Sequence, residues 1–232
     1  MNAVAVEDVW KFYGDFPALR EIGLAAEPGS CLALIGRNGA GKTTLLRSIA
    51  GFSRPGRGRI LIFGQDPRET ATRRRIGFLG HGIAVYDELS ALENLALYAR
   101  LYALPDPRGR ALHWLERTGL ERVRNGLVRE FSRGMRQRLA VARAFLHAPD
   151  VLLLDEPFTA LDDRAIAVLQ TLLREALAEG RTIVMSTHQL REALELSSHV
   201  ALLVRGRVAF HGPCWPEMAA DPGLVYARYG EG

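Results

Sequence analysis

The chain has 232 residues, 48% of them hydrophobic and 24% charged, which suits one well-filled domain and excludes a disordered or fibrous chain. Its net charge of +4 is mild, and its two cysteines, Cys31 and Cys214, give neither a disulfide framework nor metal-ligand spacing, which fits a reducing compartment. The N-terminus lacks a charged-then-apolar leader, and no apolar stretch approaches bilayer-spanning length, so work at a membrane would need a partner to hold the chain there.

Short strands are expected first. Ala3 to Val9 partly alternates, Gly14-Asp15 marks a turn, and Glu27-Pro28-Gly29-Ser30 marks another. Cys31 to Ile35 is an apolar run predicting a buried strand. It leads into Gly36-Arg37-Asn38-Gly39-Ala40-Gly41-Lys42-Thr43, the pattern G-x-x-x-x-G-K-[ST] of a phosphate-binding P-loop. The glycines let backbone N–H groups approach phosphate oxygens, and the helix predicted from Thr44 to Ala50, stopped by Gly51, presents its anion-favouring N-terminus. Lys42 is placed to reach the outer phosphates, and the Thr43 hydroxyl to hold Mg²⁺. An ordinary glycine-rich turn is the alternative, but strand, loop and helix stand in the order the phosphate site needs. Of 30 basic residues only Lys11 and Lys42 are lysines, so the ammonium at 42 stands out in a chain that otherwise uses arginine.

The densest basic clusters are Arg54, Arg57 and Arg59, then Arg73 to Arg75. No nucleic-acid module accompanies them, so a solvated surface is expected and no nucleic-acid partner. Arg59 to Phe63 and Ile76 to Leu79 are further strand candidates. From about residue 88 the pattern turns helical: Ser90 and Glu93 have capping-box spacing ahead of the periodic Leu92, Leu95, Tyr98, Leu101 and Tyr102. Pro105 and Pro107 are expected to end that helix; others are predicted around 108–118 and 134–147. Strand–helix alternation then resumes with Val151 to Leu154, a helix over 164–178, Thr182 to Met185, and a hairpin of 200–204 with 207–210. His211-Gly-Pro-Cys214 is expected to be a turn rather than an iron site.

Asp155-Glu156, ending the apolar Val151 to Leu154 run, supplies what a P-loop lacks. Such a strand end brings Asp155 near Mg²⁺ and Glu156 beside an attacking water. A surface or helix-capping acidic pair is the structural alternative. Thr187-His188 follows a neighbouring strand, which would let His188 contact the terminal phosphate and orient the water.

Phe131-Ser132-Arg133-Gly134-Met135-Arg136-Gln137-Arg138 resembles the signature of ATP-binding-cassette (ABC) ATPases; Ser132 and Gly134 match, whereas Arg133 and Met135 replace the usual Gly and Gln. With the P-loop at 36–43, Asp155-Glu156, Ala160-Leu161-Asp162 as D-loop and Thr187-His188 as switch, the resemblance spans essentially the whole chain. It implies an α/β P-loop cassette: a RecA-like core (1–87 and 149–232) with an N-terminal antiparallel part and an inserted helical subdomain (88–148). It also implies two cassettes head to tail, each ATP held between one P-loop (with Thr44) and the partner's Ser132 and Gly134. Tyr13 matches the aromatic that stacks on adenine; a core tyrosine in an early strand is the alternative. At the Q-loop, Gly80-His81-Gly82 replaces the usual Gln, so the family's coupling role falls on His81, together with Asp162 of the D-loop.

Gly80-His81, Tyr86 to Leu95, Tyr98 to Tyr102, Phe131 to Leu139 and Glu156 to Asp162 are similar to the ATP-binding subunits of cytochrome c maturation haem exporters. That resemblance implies separate transmembrane permease subunits, a peripheral position on the cytoplasmic side of the membrane, and haem only as cargo. The same traits overlap with cassettes of drug and polysaccharide exporters. A single-cassette ATPase without a transport role, of the iron–sulfur assembly kind, is the reading from a different class.

Overall fold

The computed structural model of the chain describes residues 1–80, 84–215, 217–218, 221 and 223–229. Strands β1 (Val4–Tyr13) and β2 (Phe16–Ala26) form a long antiparallel hairpin, and β4 (Arg57–Ile62) pairs with the free edge of β1. Their inward residues, among them Val4, Val6, Ile22 and Leu24, pack on Leu45, Leu46 and Ile49 of α1 (Lys42–Ile49).

The second sheet has six strands in the order β5 (Ile76–Leu79), β6 (Val151–Asp155), β7 (Thr182–Ser186), β3 (Cys31–Ile35), β8 (His199–Val204) and β9 (Arg207–Pro213). All of its neighbours are parallel except β9, which closes the edge antiparallel to β8. Every residue of β3, β6 and β7 is buried, which is why these strands appear in sequence as unbroken apolar runs. Their side chains alternate between two cores. Val151 and Leu153 join the core under the hairpin, whereas Leu152 and Leu154 join the one built from α3 (Ala91–Leu101), α5 (Arg133–Phe145) and α6 (Asp163–Ala178).

The capping box at the start of α3 is formed: Ser90 Oγ accepts from the Glu93 N–H, and the Glu93 carboxylate accepts from the Ser90 N–H at 2.8 Å. Two expectations are corrected. Pro107 does not end a helix but opens α4 (Pro107–Arg117), where its missing N–H costs nothing, while α3 has already closed at Tyr102. His211 to Pro213 are not a turn but the end of β9, with Pro213 opposite His199; an edge strand tolerates a residue that cannot donate.

Just beyond α5, His147 stacks on Tyr102 with ring centroids 3.9 Å apart and planes 4° from parallel, and its Nε2 lies 3.0 Å from the Ile76 carbonyl. Burial, reinforced by nearby Arg143 and Arg181, lowers its pKa to about 4 from an ordinary 6.5. The unfolded ring therefore takes up a proton that the folded ring refuses between those values. The stabilisation is complete above about pH 6.5 and is lost as pH falls toward 4, by roughly 3 kcal/mol. Urea unfolding from pH 4 to 7.5 should show this decline, and His147→Phe, which keeps the stack, should flatten it by that amount.

Candidate nucleotide site

β3 runs directly into the P-loop, whose turns are dictated by close backbone approach. Gly36 has φ 147°, and a Cβ there would lie 2.4 Å from the Leu203 carbonyl; Gly41 has φ 106°, and its Cβ would meet Leu19 and the Ala18 carbonyl near 3 Å. At Gly39, with φ 80°, a Cβ would meet no atom within 4 Å, so this part of the loop faces open space. Arg37, Asn38 and Ala40 complete the arch: Ala40 N–H donates to the Arg37 carbonyl at 3.1 Å, and Gly206 N–H to the Ala40 carbonyl at 3.0 Å. α1 starts at Lys42 with Gly41 as its N-cap and no side-chain cap, so the first N–H groups, those of Thr43 and Thr44 among them, keep their capacity to bind an anion.

Lys42 is 7% exposed, and its ammonium donates to the carbonyls of Gly36 at 2.6 Å and Arg37 at 3.4 Å. Desolvation lowers its pKa, opposed by the carboxylates of Glu156 and Asp155. Thr43 Oγ1 donates to Asp155 Oδ1 at 3.1 Å, although 112 residues separate the two. The same oxygen accepts a hydrogen bond from Ser186 on the adjacent strand, in register with Asp155. Asp155 Oδ2 is buried and has no partner among the described residues. A desolvated carboxylate oxygen costs free energy unless something binds it, so this atom marks a place for a donor or a cation.

Glu156 leaves β6 in a left-handed conformation, φ 53°, with its N–H held by the Ser186 carbonyl at 3.0 Å. The bend turns its carboxylate toward His188, whose backbone N–H donates to Oε2 at 3.1 Å and whose Nδ1 lies 2.7 Å from the same oxygen. Thr187 holds that geometry: its buried hydroxyl accepts from the Gln189 N–H at 2.9 Å. An oriented carboxylate–imidazole pair beside a phosphate cradle is able to align and deprotonate water.

The remaining candidates lie apart from this cluster. Tyr13, at the end of β1, is 55% exposed, with the Lys11 ammonium 5.5 Å from its ring centroid, so it is not a core tyrosine. Ser132 is the exposed N-cap of α5 and accepts from the Met135 N–H at 3.2 Å; a Cβ on Gly134 would approach the Ala160 carbonyl at 3.0 Å. Asp162 caps α6 through Ala165 N–H at 2.8 Å. Among the described residues, no hydrogen bond joins Ser132 or Gly134 to the P-loop of the same chain. His81 lies outside the described residues.

Two contributors were given no role by the sequence, one of them within the signature stretch itself. Ser186 is the neutral donor that fixes Asp155; its signal was its place at the end of the strand before Thr187. Gln137 is a buried amide on the inner face of α5, donating to the Pro157 carbonyl at 3.1 Å, and so tying the signature helix to the loop just after Glu156. A lone glutamine on an otherwise apolar helix face was its trace.

The family model described as ABC transporter matches residues 19–159, more than half of the chain. The chain belongs to the ABC transporter family. This cassette is 36% identical over 211 residues to the Nod factor export ATP-binding protein I of Cupriavidus metallidurans, covering 89% of the chain and 70% of that protein. It is 39% identical over 226 residues to the daunorubicin resistance ATP-binding protein DrrA3 of Streptomyces coeruleorubidus, covering 96% of the chain and 71% of that protein. Among solved structures, an ATP-binding subunit of an ABC transporter superposes with a TM-score of 0.86 at 31% identity, covering 98% of this chain and 93% of that one. A dimeric ATP-binding cassette in a post-hydrolysis state with ADP and Pi superposes with a TM-score of 0.84 at 28% identity, covering 91% and 99%. The α/β fold expected from the sequence is thus the cassette fold, and the cassette is an ATPase.

Proposed function

We propose that this cassette is the ATP-hydrolysing motor of a membrane exporter, working as a head-to-tail pair bound to separate permease subunits. The observation that carries the reading is the division of the site. Phosphate cradle, Asp155, Glu156 and His188 converge, while exposed Ser132 and half-buried Gly134 sit at another helix start, where a second chain would use them. In this reading Gly36 to Thr44 bind the phosphates, Tyr13 stacks on adenine, Glu156 accepts the water's proton, and His188 holds Glu156 and meets the γ-phosphate. Asp162 and His81 carry the coupling.

The residues present fit Mg²⁺: Thr43 and Asp155 offer hard oxygens, and the orphaned Asp155 Oδ2 is the atom a cation or its bound water would satisfy. When bound, the ion offsets phosphate charge.

No helix of the described residues is long and apolar enough to cross a membrane. In this reading the permease supplies the attachment. A cleft of about 350 Å³ lined by Arg47, Phe52, Phe78, Tyr102 and Arg143 also reaches Thr43 and Asp155, which makes it our seat for the permease contact. For direction, the name of one relative, Nod factor export ATP-binding protein I, supports export, whereas sulfate/thiosulfate import ATP-binding proteins match at 38–39% identity. Haem as cargo rests on the motif resemblance alone.

Ser132→Arg tests the shared site. Ser132 is exposed, so the change costs only a helix cap, about 1 kcal/mol. Nucleotide affinity of the isolated chain should stay within twofold, while ATPase activity of the permease complex should fall at least a hundredfold. Hydrolysis at the native rate would overturn the paired mechanism.

A further inference from the structure

The hairpin of β1 and β2 ends in two large side chains that the core does not cover. Tyr13 and Phe16 are cross-strand partners on either side of the Gly14-Asp15 turn, and they are 55% and 65% exposed. Directly opposed residues of an antiparallel pair stand on the same side of the ribbon, with Cβ atoms about 5 Å apart. Their neighbour Phe12, by contrast, stacks on Trp10 with centroids 6.1 Å apart, and a Cβ on Gly56 would meet its ring at 3.3 Å. Among the described residues Tyr13 and Phe16 enter no aromatic pair, and Phe16 packs on none of the hydrophobic cores. Two large rings side by side on one exposed face make a surface suited to a flat apolar partner. β2 links that surface to the P-loop. The Ala18 carbonyl, just beyond Phe16, is an atom that a Cβ on Gly41 would meet at 3.0 Å. Arg20 N–H donates at 2.7 Å to the carbonyl of Gly206, whose own N–H holds Ala40 of the loop. From Phe16 to Ala18 the strand spans about 7 Å, so a nucleoside whose phosphates occupy the loop can reach the ring pair.

We propose that Phe16 is a second stacking residue for the base of ATP, extending Tyr13 into a two-ring platform. The role rests on the nucleotide site proposed above, in which the triphosphate lies along the P-loop and the base meets Tyr13. The Lys11 ammonium, held by the Arg54 carbonyl at 2.8 Å, sits over the Tyr13 ring and leaves it one open face. A purine has two fused rings and outspans a single phenol, and the ring next to Tyr13 in the strand register is Phe16. Phe16 carries no donor or acceptor, so it adds contact area and dispersion without reading the edge of the base. It therefore favours purines over the smaller pyrimidines and does not choose between adenine and guanine.

The test is Phe16→Ala in the full chain, read by calorimetry. The residue is exposed, so the melting temperature should stay native. The Kd for Mg-ATP should rise about tenfold, and that for Mg-GTP alike, on the scale of one base–aromatic stack. Magnesium tripolyphosphate, which has no base, should bind within about twofold of native. Phe16→Leu keeps apolar bulk and loses the ring, so it should lose ATP affinity as the alanine variant does, while Phe16→Trp should retain it. Native ATP affinity in Phe16→Ala would overturn the proposal. An equal loss for tripolyphosphate would overturn it too, since Phe16 would then act through the loop rather than on the base. Full ATP affinity in Phe16→Leu would also overturn it, because bulk without a ring would then suffice. Lys42→Ala run in parallel separates this role from the site itself. If that variant binds ATP and tripolyphosphate as tightly as the native chain, the nucleotide site is misassigned; if it weakens both while Phe16→Ala is native-like, only the role of Phe16 fails.

Discussion

Glu156→Gln is expected to keep nucleotide bound while lowering kcat about a thousandfold, the scale set by losing a general base. Glutamine is nearly isosteric, and its side-chain oxygen still accepts from the His188 N–H, so the local fold survives. It cannot take the water's proton. In the permease complex the consequence is accumulation of the closed, ATP-bound pair, because hydrolysis is the step that removes the bias toward closure. Single-turnover measurement with radiolabelled ATP gives the rate, and size-exclusion of the solubilised complex gives the state. Turnover within tenfold of native would remove Glu156 from the base role.

Lys42→Ala should act at the other end of the cycle. The ammonium is desolvated against two backbone carbonyls, with the carboxylates of Glu156 and Asp155 offsetting part of that cost. Its removal leaves the melting temperature of the free protein nearly unchanged. Charge-assisted hydrogen bonds to phosphate are among the strong ones, and losing them should weaken Mg-ATP binding about a hundredfold. Thermal shift with and without nucleotide reads both: the variant's own melting point stays, and the nucleotide-induced rise disappears. A full rise in the variant would count against Lys42 as the phosphate ligand.

Local chemistry was legible in the sequence wherever it was written in consecutive residues. The P-loop turn, the Ser90–Glu93 capping box and the unbroken strands β3, β6 and β7 each follow from a pattern within ten residues or fewer. Approaches between distant segments were not written that way. That Thr43 donates to Asp155, and that Ser186 shares the same carboxylate oxygen, follows from the strand order that sets β7 beside β3 and β6 on the far side of β7. The role of Gln137 was silent for the same reason, because its partner, Pro157, comes near only after the sheet forms. At Pro107 and at 211–213 the structure differs from expectation at a proline: at a helix start or on a sheet edge its missing donor goes unneeded.

Glu156 holds a left-handed backbone that L-residues with a Cβ adopt at a cost of about 1 kcal/mol or more. Glycine would sit there without strain, so a chain shaped only for thermal endurance would carry glycine at 156 and, under the proposed mechanism, be inert. On that mechanism the working enzyme keeps its water-activating carboxylate at a spot where the main chain is under tension. Robustness and turnover pull this one position in opposite directions.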